Sequence, residues 1–168
     1  MKFILLTHER ELEKKNNTGA VVRGILKGDC ELVVWKRREP DESLLSLLAR
    51  QQAAVLFPRE ELPTQNTDSP GTYQPDPQCL FSYTHYVILD ATWQQAKKMY
   101  RQSPYLQQAD KFSLDNVTPS TFVRRGNQLK GGLCTAECVI ELLELAGESE
   151  SASELAYHYE AFNRALPS

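Results

Sequence analysis

Residues 86–100 read YVILDATWQQAKKMY, and the break inside that stretch decides the fold. Tyr86, Val87, Ile88 and Leu89 form a short apolar run that ends abruptly in an acid, Asp90. Ala91, Thr92 and Trp93 follow, and a polar, basic stretch with helical spacing begins. A buried strand running straight into a helix is the repeating step of an α/β sheet. In such sheets ligands collect outside the carboxyl ends of the strands. Asp90 is therefore a carboxylate at a strand's carboxyl end, one turn from a large aromatic. Two roles are open to it: capping the next helix, in place of Thr92, or chemistry at the strand end.

The same alternation extends outward from this stretch. Residues 3–6 read as a first buried strand, and 18–26 as a short helix opened by Asn17 or Thr18. A turn at Gly28 and Asp29 leads to a second strand, 31–36. Asp41 then caps a helix over 42–51, with Leu44, Leu45, Leu47 and Leu48 along one stripe. Residues 53–57 form another all-apolar strand, closed by Pro58. Beyond Asp90, a helix over about 92–102 turns Trp93, Ala96, Met99 and Tyr100 inward, and a further strand is expected at 111–114. Helix 135–145, capped by Thr135, precedes an acidic linker and a last helix over 153–166. That helix carries Leu155, Tyr159, Phe162 and Leu166 on one side, to pack on the domain or on a second subunit. Continuous apolar strands between helices predict an α/β fold, a mostly parallel sheet with helices on both faces.

The connection 58–81 breaks this pattern. It gathers Pro58, Pro63, Pro70, Pro75 and Pro77 among Asn, Asp, Gly and Thr. A connection this long within a compact domain is either a substrate-facing flap or an uninvolved insertion.

The 168 residues suit one domain, 1–168, and the 41% hydrophobic and 24% charged content is that of a soluble globular protein. No run approaches the ~18 apolar residues that span a bilayer. The opening MKFILLTHER is too short in apolar residues for a secretory leader, so a cytoplasmic location and no membrane partner are expected. Cys30, Cys79, Cys134 and Cys138 form no CxxC pair, and no metal site is expected. Neither G-x-G-x-x-G nor G-x-x-x-x-G-K-S/T occurs, which removes support for a Rossmann site or a P-loop. Net charge is −3, from 19 Lys and Arg against 22 Asp and Glu. The cations cluster at Lys14-Lys15, Lys36-Arg37-Arg38, Lys97-Lys98-Arg101 and Arg124-Arg125-Lys130, while acids gather toward the end. The negative total counts against a nucleic-acid partner, but a basic face with an acidic back would give a usable local field despite it.

The motif L-D-x-T-W (Leu89, Asp90, Thr92, Trp93), with Lys97, Lys98, Met99 and the Ser103-Pro104 pair after it, resembles the DTW-domain family. Four other stretches match as well: ILLTHERELEKKNNTG from Ile4 with its His8-x-x-Glu11, AVLFP from Ala54, TFVRR from Thr121 and LCTAE from Leu133. The resemblance covers roughly residues 3–146, and the chain looks like a short form lacking the Cys-rich segment that precedes the first strand in many bacterial relatives. It implies a SPOUT-like fold with a C-terminal trefoil knot. The implied activity is that of a tRNA-uridine aminocarboxypropyltransferase, which moves the 3-amino-3-carboxypropyl group of S-adenosylmethionine to N3 of a uridine and releases methylthioadenosine. The alternatives are a SPOUT-type RNA methyltransferase, a paralogue acting on rRNA, and a non-catalytic RNA-binding protein.

The resemblance also implies a site. Asp90 is the candidate base, or the acceptor that fixes uracil, with a pKa raised by desolvation against Trp93. Thr18, Leu56, Phe57, Pro58, Leu89, Thr92, Trp93, Leu133, Cys134 and Thr135 are expected to line the cofactor. Lys97, Lys98, Arg101, Arg124 and Arg125 are expected to hold RNA phosphates. The position of Lys36, Arg37 and Arg38 relative to this site is left open, as is the choice between monomer and homodimer.

Overall fold

A computed structural model of the chain describes residues 1–58, 73–74, 77–114 and 133–167. Its strands are β1 (Lys2–Thr7), β2 (Cys30–Val34), β3 (Ala53–Leu56), β4 (Tyr73–Gln74), β5 (His85–Asp90) and β6 (Lys111–Phe112). Its helices are α1 (Thr18–Leu26), α2 (Glu42–Ala49), α3 (Trp93–Arg101), α4 (Pro104–Gln108), α5 (Thr135–Leu145) and α6 (Ser149–Ala165). The strands form one sheet in the order β2-β1-β5-β3-β6-β4, and every pairing is parallel. All carboxyl ends therefore share one edge. The register sets Thr7 beside Asp90 and Leu56 beside Ile88.

Side-chain alternation along the central strands builds two cores. Phe3, Leu5, Tyr86 and Ile88 pack under α1, α5 and α6, with Val139, Leu142 and Leu155. Ile4, Leu6, Val55, Val87 and Leu89 face the other way, against Leu44, Leu48, Ala96 and Met99 of α2 and α3. Burying one such aliphatic side chain stabilises the fold by about 1.5–3 kcal/mol, which is why the central strands are apolar on both faces between their ends.

The helix starts follow from side chains that accept otherwise unpaired N–H groups. Asn17 Oδ1 accepts from Ala20 N at 3.1 Å and Asp41 Oδ1 from Leu44 N at 2.9 Å. Thr92 and Gln95 close a reciprocal capping box on α3. The cap of α3 is thus Thr92, which leaves Asp90 free of that task.

Several expectations are corrected. The last helix begins at Ser149 instead of residue 153, so the acidic linker is shorter. Gly147, at φ +77°, donates to Glu144 O and Glu148 N to Leu143 O, a reversal that ends α5 at once; Glu148 O then accepts from Ala152 N. Cys134, not Thr135, occupies the cap position of α5, where its N–H is held by Glu137 Oε1 at 3.2 Å. Helix α4, started by Pro104 behind Ser103, has no counterpart in the sequence reading. The flap 58–81 falls largely, and the knot in so far as it depends on 115–132, outside the described residues. Among the described residues no helix is long and apolar enough to cross a membrane.

Candidate functional site

At the carboxyl edge, beneath α1 and α5, the buried polar residues Thr7, Glu11, Asn17, Thr18, Asp90 and Thr135 come together. Asp90 is their centre and only 1% exposed. Its Oδ1 accepts from Thr135 Oγ1 at 2.9 Å. Its Oδ2 accepts from Asn17 Nδ2 at 3.1 Å and lies 3.2 Å from Thr7 Oγ1. The single Thr7 hydroxyl hydrogen is shared between that oxygen and Leu5 O, 3.1 Å away. Burying a carboxylate is costly unless donors replace water, and these three replace it.

Two helix N-termini meet over this carboxylate. Asn17 caps α1 with its Oδ1, which turns its amide nitrogen toward Asp90 and toward Glu11 O, 3.3 Å away. Thr18 Oγ1 accepts from Ala136 N at 3.2 Å, tying the start of α1 to the start of α5. Thr135, the first residue of α5, is then free to donate to Asp90. The positive ends of both helix dipoles thus face a negative group. Gly19 completes the fit: a Cβ there would lie 2.6 Å from Asp90 Oδ2 and 2.8 Å from Asn17 Oδ1. Glu11, also buried, is paired with the ammonium of Lys14.

Trp93 does not face Asp90 as expected. Asp90 follows Tyr86 and Ile88 on the α1/α5 side, whereas Trp93 packs with the opposite core. Its ring lies 5.8 Å from that of Phe57, which stacks on Tyr100 at 4.2 Å, and Lys97 Nζ sits 5.6 Å from its centroid. The indole Nε1 is buried with no hydrogen-bond partner among the described residues.

The expected cofactor residues therefore divide. Thr18, Leu56, Cys134 and Thr135 lie on the Asp90 side, and Phe57, Leu89 and Trp93 on the other. Thr92 is the α3 cap, and Pro58 and Leu133 are half-buried at the same edge. Burial pushes the Cys134 thiol up to about 11, so it is an apolar wall and not a nucleophile. Lys98 and Arg101 are exposed on α3, and Lys97 is half-buried. Arg124 and Arg125 lie outside the described residues. Among the described residues no cluster of His, Cys, Asp and Glu could hold a metal ion.

Thr7 escaped the sequence reading. The signal was present: it is the one polar residue ending the run FILLT, as Asp90 ends YVILD. Pairing those two strand ends would have found it.

Comparison with known proteins adds three findings. The DTW domain family matches the chain over residues 1–166. A Drosophila melanogaster protein named tRNA-uridine aminocarboxypropyltransferase 2 is 29% identical over 162 residues. The match takes in 92% of this chain and spans 58% of that relative's length. No solved structure matches.

Proposed function

This chain belongs to the DTW domain family, and we propose that it transfers the 3-amino-3-carboxypropyl group of S-adenosylmethionine to N3 of a uridine in tRNA. The name of the fly relative supports this reading. One structural observation carries it. The stretches around residues 7–19, 89–93 and 133–137, distant in sequence, converge on one carboxylate at the edge where α/β sheets bind ligands.

The residues present fit such a donor. A buried indole N–H without a partner among the described residues, beside Phe57 and Leu89, suits a planar heterocycle that brings its own acceptors. Across the strand edge, on the Asp90 side, Leu56, Cys134 and Thr135 would form the opposing wall, with Pro58 and Leu133 at the same edge, and the SPOUT-like knot belongs to the same proposal. When bound, S-adenosylmethionine supplies a sulfonium leaving group and an electrophilic side-chain carbon. The chain supplies binding and orientation. Asp90 is the candidate base or the acceptor that fixes uracil; its three intramolecular donors favour a third role, positioning the helix starts around it. It holds the starts of α1 and α5 in one geometry, with Thr18 and Thr135 tied into the same buried cluster. Lys97, Lys98, Arg101, Arg124 and Arg125 are the proposed phosphate contacts.

Calorimetry with S-adenosylmethionine and with methylthioadenosine, followed by mass spectrometry of reacted tRNA, tests the reading. Binding of both ligands and an aminocarboxypropyl mass increment are expected. A methyl increment would make the protein a methyltransferase, and RNA binding without any increment a non-catalytic binder.

A further inference from the structure

The carboxyl edge carries a second constellation, one strand beyond the Asp90 cluster. His8 is the first residue after β1, and Trp35 the first after β2. Backbone hydrogen bonds line these strand ends up: His8 N donates to Asp90 O at 3.1 Å, and Trp35 N to Thr7 O at 2.9 Å. The two rings stack, centroids 5.9 Å apart and planes 21° from parallel.

We propose that the His8–Trp35 stack is a base-stacking ledge for single-stranded RNA, with Lys36, Arg37, Arg38 and Lys98 as its flanking phosphate contacts. The proposal rests on the tRNA reading above and deepens it.

Both rings are half-buried and fixed from behind, so each retains an accessible part. Trp35 Nε1 donates to the buried Ser103 Oγ at 2.8 Å. His8 Nδ1 accepts from Arg10 N at 3.1 Å, which leaves Nε2 as the protonated nitrogen of the neutral ring. Burial lowers the His8 pKa; Glu9 and Glu11 oppose that effect, and Arg10 and Lys98 add to it. At neutral pH the ledge is an uncharged aromatic surface with one edge donor, ringed by cations. Lys36, Arg37, Arg38 and Arg10 are all exposed, and Lys98 approaches from α3. Glu9 and Glu39 are interspersed among these five cations.

Rigid aromatic faces between mobile cations are the pattern that binds splayed single strands: the rings take base faces and the cations take phosphates. A duplex hides its base faces and has no use for the stack. A larger acidic group, Glu137, Glu141, Glu144, Glu150 and Glu154, sits away from the ledge on α5 and α6, against the opposite core. Trp35 is two strand spacings from Asp90, about 10 Å, so the ledge receives a base near the modified uridine, not that uridine itself.

The test uses the full chain, with an unmodified tRNA transcript and a short oligouridine as probes. His8→Ala should weaken binding of both about ten-fold, the usual order for one stacked base. His8→Phe should restore it. K36S/R37S/R38S should flatten the salt dependence by up to about 2 in log–log slope, from ~0.7 per phosphate on a single strand. Binding of S-adenosylmethionine should be unaltered in every variant. Wild-type affinity in His8→Ala, no rescue by His8→Phe, or an unchanged salt slope in the triple variant each overturn the ledge. If the wild type transfers its group to tRNA while the variants bind normally, the ledge alone is overturned. If it transfers nothing yet the variants lose RNA as expected, the ledge stands and the reaction fails.

Discussion

Thr135, the first residue of α5, donates a 2.9 Å hydrogen bond to Asp90, the last residue of β5, across 45 positions of sequence. With Asn17 and Thr7 it makes Asp90 a pure acceptor. Asp90→Asn keeps the shape but turns an NH₂ group toward one of these donors. We expect a stability loss of about 1–3 kcal/mol, read from urea midpoints, with transfer to RNA falling alongside. Thr135→Val should cost about 1 kcal/mol, and the double variant less than the sum, because both remove one contact. If Asp90→Asn instead folds with full stability while turnover drops 10²–10⁴-fold and the acid limb of the pH–rate profile vanishes, Asp90 is the base.

Gly19 and Gly24 lie in the same helix and should respond oppositely to alanine. At Gly19 the new methyl would press on Asp90 Oδ2 and Asn17 Oδ1, and overpacking of this kind costs about 1–3 kcal/mol. Gly24 faces open space within the helix, so alanine there should stabilise by about 0.5–1 kcal/mol. Thermal melts of the two variants decide it, and a Gly19→Ala protein as stable as wild type would mean the two helix starts are not tightly seated on Asp90.

Much of this architecture was legible because it rests on local signals. Asp41, Asn17 and Thr92 announce helix starts, and the unbroken apolar runs announce parallel strands. The site was legible as an edge but not as a geometry. That Asp90 and Trp93 fall on opposite faces depends on strand phase carried past the strand's end, which a motif read as a string does not convey. The sequence points to Thr135 as a cap, yet a cysteine holds that position and frees the threonine for Asp90. The division of labour appears only when α1 and α5 are brought together in space.

Trp93→Phe separates the indole N–H from the ring. If the bound donor partners Nε1, which has no partner among the described residues, phenylalanine should lower S-adenosylmethionine affinity about ten-fold, with the melting temperature nearly unchanged. Unaltered affinity by calorimetry would remove Trp93 from the cofactor pocket.

Lys98 and Arg101 are the cleaner pair for testing phosphate contacts on α3, because both are exposed while Lys97 covers Trp93. Lys98→Gln with Arg101→Gln should weaken RNA binding and reduce the salt slope by about 1.4, again at ~0.7 per phosphate. S-adenosylmethionine affinity should not move. An unchanged slope would mean the strand does not cross α3.

Acid should destabilise this protein before its carboxylates titrate. Burial lowers the pKa of both His8 and His85 below the ordinary 6.5. A histidine whose folded pKa is depressed binds fewer protons folded than unfolded, so stability rises with pH through that interval. Its contribution is complete above about 6.5 and is lost as pH falls through the folded value. Glu141 runs the other way at lower pH: burial, with Glu144 and Glu137 nearby, raises its pKa above 4.5. Its protonation therefore favours the folded chain. Urea midpoints should fall between pH 7.5 and 5.5, and His8→Gln with His85→Gln should flatten that decline. A decline of the same size in the double variant would place its origin in other groups.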